Sequence, residues 1–141
     1  MGLLDRFKKN PKRNKDTGSF IERYWKSFLH AIDGIVYGIK YEHNMIIIIL
    51  ATIVVTLLGF YYEISSEEWL FIIAICSLIA ACEMINSSIE ATIDLITLHE
   101  HPLAKIAKDT ASAASLILCI AALIGGLVIF IPKMFILGVI L

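Results

Sequence analysis

Three long apolar stretches set the frame of the chain. Residues 45–62 read MIIIILATIVVTLLGFYY, eighteen positions without a charge. As a helix rising about 1.5 Å per residue, that run nearly crosses a hydrocarbon layer of about 30 Å. Tyr61 and Tyr62 close it in the manner of an interfacial aromatic belt. A second run opens at Trp69, stays uncharged to Cys82 and keeps helical spacing to about Leu98, now with acids in it. The third, residues 111–131, is uncharged for twenty-one positions and is followed by Pro132 and Lys133. The pattern predicts membrane-spanning helices at about 45–62, 69–98 and 111–131. The last eight residues are apolar and have no assigned place.

Ahead of the first span the pattern changes. Phe20, Tyr24, Phe28, Ala31, Ile35 and Gly38 recur at helical spacing, with Arg23, Lys26, His30 and Asp33 largely elsewhere around the same helix. Ser19 with Glu22 three residues on resembles a capping box. An amphipathic helix at the membrane surface is predicted, rather than a fourth span. Before it, residues 1–18 form a basic tail. The expected architecture is an all-α membrane protein, with three transmembrane helices plus an N-terminal surface helix making one domain over 19–141.

Composition agrees. Hydrophobic residues make up 58% of the 141 positions and mean hydropathy is +0.80, against about 45–50% apolar residues in soluble domains. A chain this short has too little interior to hide the surplus. Net charge is −1, yet nine of the twelve Lys and Arg precede residue 45. Such a segment suits the anionic cytoplasmic face of a membrane. The connection at 63–68 has no Lys or Arg, whereas 97–110 carries Lys105 and Lys108. Positive-inside counting therefore puts the N-terminus and the second loop in the cytoplasm. No stacking platform or recognition motif accompanies the basic tail, which argues against nucleic acid. Cys76, Cys82 and Cys119 lie inside apolar runs and suit packing better than a disulfide or zinc framework.

The second span carries residues that a bilayer should exclude. Glu83, Asn86, Glu90 and Asp94 are separated by three, four and four positions. They fall within an arc of roughly 80° on one helix face. With Trp69 at the outer boundary, Glu83 sits about 21 Å inward and Glu90 about 31 Å, near the inner surface. An ionisable group at membrane depth costs at least ~2.5 kcal/mol and marks a functional site by default. Two readings stay open for its neighbours. Asn86 is either a site residue or interhelical glue; Glu90 and Asp94 are either site residues or acids on a helix end emerging into water.

Lys105, Lys108 and Asp109 follow in the second loop, ahead of the small-residue run Ala111-Ser112-Ala113-Ala114-Ser115. Lys108 near a helix start is a phosphate site or a topology anchor. Glu42 stands at the cytoplasmic edge of the first span. With Glu90 it offers the carboxylate oxygens that Mg²⁺ prefers to share with substrate phosphates. His99 and His101 flank Glu100, a spacing that reads first as a solvated loop.

These pieces together resemble one known family. Glu83-Met84-Ile85-Asn86-Ser87-Ser88-Ile89-Glu90-Ala91-Thr92-Ile93-Asp94 is similar to the ExxNxxxExxxD signature of prokaryotic diacylglycerol kinases. Ala107-Lys108-Asp109 resembles the second motif, with His101-Pro102-Leu103-Ala104-Lys105 as its lead-in. Glu42-His43-Asn44-Met45 resembles the stretch before the first span in Gram-positive members. The resemblance covers roughly residues 20–133. It implies that Glu83 is the general base for a lipid hydroxyl, and that Glu42 and Glu90 hold Mg²⁺ against the ATP phosphates. It further implies that Arg23, Glu100, His101, Lys108 and Asp109 contact ATP, with Asn86 and Asp94 in support. The family assembles as homotrimers with active sites shared between subunits. His43 departs from the Arg often found there, and His30 occupies an aromatic position of the enterobacterial members. The local wording follows the Gram-positive type, which prefers undecaprenol over diacylglycerol.

The resemblance fits the physics read beside it. The chain has no GxxxxGK[ST] loop and no protein-kinase signature, and phosphoryl transfer needs chiefly positioning, metal and charge. Two rival readings of the acidic face are a small ion or proton transporter and a membrane subunit that binds a partner protein. Dependence on ATP separates the first, and a stoichiometric companion in purification the second.

Overall fold

A computed structural model describes residues 19–140, with side chains through Phe135. The tail expected at 1–18 lies outside the described residues. Among these the regular structure is helical: α1 (Phe20–Tyr41), α2 (His43–Tyr61), α3 (Ser66–Ile96) and α4 (Pro102–Ile140). Two compact units divide the chain, one ending at Ile35 inside α1 and one beginning at Val36.

In the first unit α1 is amphipathic as expected. Its start is held by the Ser19 N–H, which donates to Glu22 Oε2 at 3.2 Å, the reciprocal arm of a capping box. Phe20, Tyr24, Trp25, Phe28 and Ile35 are exposed, and the Trp25 and Phe28 rings meet edge to face at 5.7 Å. An exposed stripe of this kind suits the boundary between headgroups and acyl chains.

The second unit holds three helices of 19, 31 and 39 residues, each long and apolar enough to cross a bilayer. Helix α3 packs against both α2 and α4. Only α2, at about 28 Å, matches the hydrocarbon thickness; α3 and α4 overrun it at about 46 and 58 Å. Their surplus length carries Glu90, Asp94, Lys105, Lys108 and Asp109 past the hydrocarbon into water. The buried core gathers at the opposite end, where Ile64, Ile72, Ile129 and Phe130 meet Val55, Tyr62, Trp69 and Cys76. Elsewhere large apolar side chains such as Leu57, Leu70, Ile73, Leu123 and Val128 are exposed. A soluble monomer rarely shows apolar patches beyond a few hundred Å², so lipid or neighbouring copies cover this surface.

The turn between α2 and α3 is fixed by local chemistry. Ile64 N–H donates to Gly59 C=O at 3.1 Å and Glu63 N–H to Phe60 C=O at 3.3 Å, the two bonds of a Schellman motif. Glu63 takes the left-handed position at φ 49°, where glycine is the usual residue. Replacing Glu63 with Gly is expected to stabilise the chain by about 0.5–1 kcal/mol, read as a higher midpoint of thermal unfolding in detergent micelles. Gly59 is under the opposite constraint. A Cβ there would stand 2.7 Å from the Trp69 ring and 3.0 Å from Ile64 Cδ1. Gly59→Val is therefore expected to lower stability by about 1–3 kcal/mol through overpacking, by the same measurement.

Two boundaries depart from the sequence expectation. Helix α3 begins at Ser66, ahead of Trp69, because Ser65 and Glu68 close a full capping box. The Ser65 N–H reaches Glu68 Oε2 at 2.6 Å and the Glu68 N–H reaches Ser65 Oγ at 3.3 Å. Glu68 also pairs with Lys133 at 3.1 Å, tying the start of α3 to the far part of α4. Helix α4 begins at Pro102 and runs through Pro132 to Ile140. Proline in the first turn is well placed, and an interior proline is tolerated in membrane helices where neighbours and local adjustments re-satisfy the backbone.

Candidate active site

Helix α3 presents the acidic face as a gradient from buried to wet. Glu83 and Asn86 are 4% and 5% exposed, Glu90 is half-buried and Asp94 is exposed. Burial falls along the helix: over three turns the face passes from packed interior to exposed surface, and the stripe keeps one azimuth throughout. Each member has a partner in place. Asn44 on α2 donates its amide N–H to Glu83 Oε1 at 2.8 Å. Asn86 donates to Glu90 Oε1 at 3.0 Å, one turn along the same helix. Lys108 Nζ donates to Asp94 Oδ1 at 2.5 Å across the α3–α4 pair.

The end of α3 and the start of α4 border a cavity of about 720 Å³, within the range of small-ligand sites. Asp94, Glu100, His101, Lys105, Lys108 and Asp109 line it. The structure thus gathers the expected nucleotide-contacting residues Glu100, His101, Lys108 and Asp109 in one place. His101 also caps α4, since its Nδ1 accepts from the Leu103 N–H at 3.2 Å; the proton is then on Nε2. Lys105 and Asp109 form an exposed pair at 3.7 Å, of small energetic weight. Arg23 belongs to the first unit, where it is exposed on α1.

Glu42 stands between α1 and α2 with extended backbone (φ −97°, ψ 114°). That single extended residue separates the two helices, and its side chain is not used as a cap, which leaves the carboxylate available. Among the described residues no cluster of three or more His, Cys, Asp or Glu forms a protein cage for a metal. Mg²⁺ does not require one, because it is held by one or two carboxylates with substrate phosphates and water. The donors here fit that chemistry: Glu90 is held by Asn86, whose own Oδ1 is buried without a partner among the described residues.

Among the described residues two further hydroxyls, those of Ser87 and Ser115, are buried without a partner. Counting seven residues along each helix from the Asp94–Lys108 pair reaches both, so they stand at similar depth on α3 and α4. Deeper still, an apolar cleft of about 330 Å³ opens between α2, α3 and α4. Its lining includes Ile48 and Ile79, one helical turn from Asn44 and Glu83 respectively. Along α3, Glu83 thus lies after the apolar cleft, whose last lining residue on this helix is Ile79, and before the charged cavity, whose lining begins at Ile93.

Sequence reasoning missed Asn44 as a site residue. Its signal was present, since Asn44 lies in the Glu42-His43-Asn44-Met45 stretch, but nothing in that stretch says which helix it faces.

The sequence is similar to those of known proteins. The model of the family described as prokaryotic diacylglycerol kinase matches residues 29–130. An undecaprenol kinase of Bacillus subtilis is 39% identical over 121 residues, covering 86% of this chain and 98% of that protein. A diacylglycerol kinase of Pseudomonas aeruginosa is 40% identical over 70 residues, 50% of this chain and 57% of its own. One from Helicobacter pylori is 36% identical over 96 residues, 68% of this chain and 75% of its own.

Proposed function

The chain belongs to the prokaryotic diacylglycerol kinase family, and on that premise we propose that it phosphorylates undecaprenol, with the residues of the α3 face in the roles below. It is an integral membrane lipid kinase that uses ATP. The observation that carries the mechanism is the position of Glu83, buried along α3 between an apolar cleft and a charged cavity.

The lipid hydroxyl approaches from the hydrocarbon side, where the cleft leads to within a turn of Glu83. Glu83 accepts the hydroxyl proton as the lipid oxygen attacks the γ-phosphorus of ATP. The bond to the ADP oxygen breaks in line, giving the lipid monophosphate and ADP, and Glu83 later returns the proton to water. Lys108, held by Asp94, faces the phosphates, and Asp109, Glu100, His101 and Arg23 contribute further nucleotide contacts. Glu90 and Glu42 would hold Mg²⁺, with Asn86 orienting Glu90, and a bound ion would supply charge compensation at the phosphates. Such a reaction depends on positioning and electrostatics more than on covalent steps.

Undecaprenol is favoured by the likeness to the Bacillus subtilis protein over nearly its whole length. Diacylglycerol is the second reading, supported by the Pseudomonas aeruginosa and Helicobacter pylori relatives. Assembly as a homotrimer, with the N-terminus and the α3–α4 loop in the cytoplasm of a bacterial cell, completes the proposal. The exposed apolar surface of α2–α4 supports contact with lipid or further copies, and the Lys distribution supports the orientation. The test is competition: undecaprenol and diacylglycerol at equal mole fraction in one mixed micelle with Mg-ATP. Undecaprenyl phosphate is the expected major product; a predominance of phosphatidic acid would overturn the acceptor assignment.

A further inference from the structure

Among the described residues, Glu83 receives its side-chain hydrogen bond from Asn44, on a different helix and 39 positions away in sequence. A carboxylate 4% exposed loses most of its hydration and gains from a hydrogen-bond donor within the protein. Asn44 supplies one without bringing a competing proton or a counter-charge, because an amide N–H does not titrate. The carboxylate only accepts, so the amide must present its NH₂ group to it. The bond engages Oε1. It also crosses from α2 to α3, so it fixes the carboxylate relative to a second helix rather than along its own. Asn44 is in the first turn of α2, two residues after the extended Glu42.

We propose that Asn44 is a positioning residue for phosphoryl transfer, whose amide holds Glu83 Oε1 and thereby presents Oε2 to the lipid hydroxyl. This rests on the reading of Glu83 as the general base. The start of α2 then has two duties: Glu42, just before the helix, would serve the metal, and Asn44 in its first turn aims the base. Asn44 does not touch either substrate; it sets the carboxylate's rotamer.

The experiment compares Asn44→Ala, Asn44→Asp and Asn44→Gln in the full-length chain in mixed micelles, with Glu83→Gln alongside. The Asn44 side chain is on an exposed residue, and Asp is nearly isosteric, so folding is preserved in at least that variant. Asp removes the donor and sets an acid against Glu83, Ala removes the donor alone, and Gln keeps it. For Ala and Asp, kcat is expected to fall about tenfold to a hundredfold, the range of one lost charge-assisted hydrogen bond. KM for ATP and for the lipid alcohol should stay within about twofold, and Gln should restore most of kcat. Unchanged kcat in Ala and Asp would overturn the proposal, as would failure of Gln to restore it. So would a loss that falls on KM for ATP or on the Mg²⁺ requirement, because Asn44 would then serve the nucleotide site. Should Glu83→Gln be inactive while Asn44→Ala and Asn44→Asp are fully active, only the role of Asn44 falls. An active Glu83→Gln removes the base assignment itself.

Discussion

Replacing Glu83 by Gln is expected to lower kcat by a factor of about a hundred or more, the usual share of a positioned general base. The substitution preserves shape and keeps an oxygen to accept from Asn44, whose bond to Glu83 Oε1 is 2.8 Å. It removes only the capacity to take a proton. Thermal unfolding should therefore be unchanged or slightly raised, since an amide at a site 4% exposed avoids the desolvation of a charge. ATP affinity should also be retained, because the cavity proposed for the nucleotide is lined by residues further along α3 and α4. Measured kcat and equilibrium ATP binding on the same preparation separate the outcomes. Normal turnover in Glu83→Gln would show that the lipid hydroxyl is deprotonated elsewhere.

Lys108→Ala is expected to reduce kcat/KM by about a hundredfold, comparable with removal of one preorganised group from a developing charge. Lys108 lies in the second turn of α4, aims at the cavity and is steadied by Asp94 at 2.5 Å. Loss of the ammonium removes a positive charge from the phosphates and leaves Asp94 to repel them. Lys105→Ala is the control. Its ion pair with Asp109 is 3.7 Å long and 80% and 66% exposed, so its removal should change rates by no more than about severalfold. Steady-state kinetics against ATP distinguishes the two lysines. Equal losses would mean that the cavity senses total charge rather than the Lys108 position. Lys108→Arg should recover only part of the activity, because the planar guanidinium does not replace a compact ammonium at the same point.

Much of this organisation is written in hydrophobic patterning. The eighteen-residue run at 45–62 is too long and too uniformly apolar to be anything but a membrane helix, and α2 follows it to within two residues at each end. The α3 face was equally legible. Periodicity alone put Glu83, Asn86, Glu90 and Asp94 on one side, and the structure grades them from buried to exposed in that order. Ends were less legible, because they depend on capping rather than on polarity. The Ser65–Glu68 box starts α3 before the apolar run begins, and α4 passes Pro132, a residue that ends helices in water. Contacts between helices were the least legible. That Lys108 meets Asp94, and that Asn44 meets Glu83, depends on the rotation of one helix against another, which local spacing does not encode.

The most direct measurement is the balance of the reaction with purified protein, γ-labelled ATP, Mg²⁺ and undecaprenol in mixed micelles. One labelled lipid monophosphate should appear for each ADP formed, with none of the label released as free phosphate. ADP formation without lipid label, or full retention of ATP alongside ion flux in liposomes, would contradict a direct transfer at the α3 face.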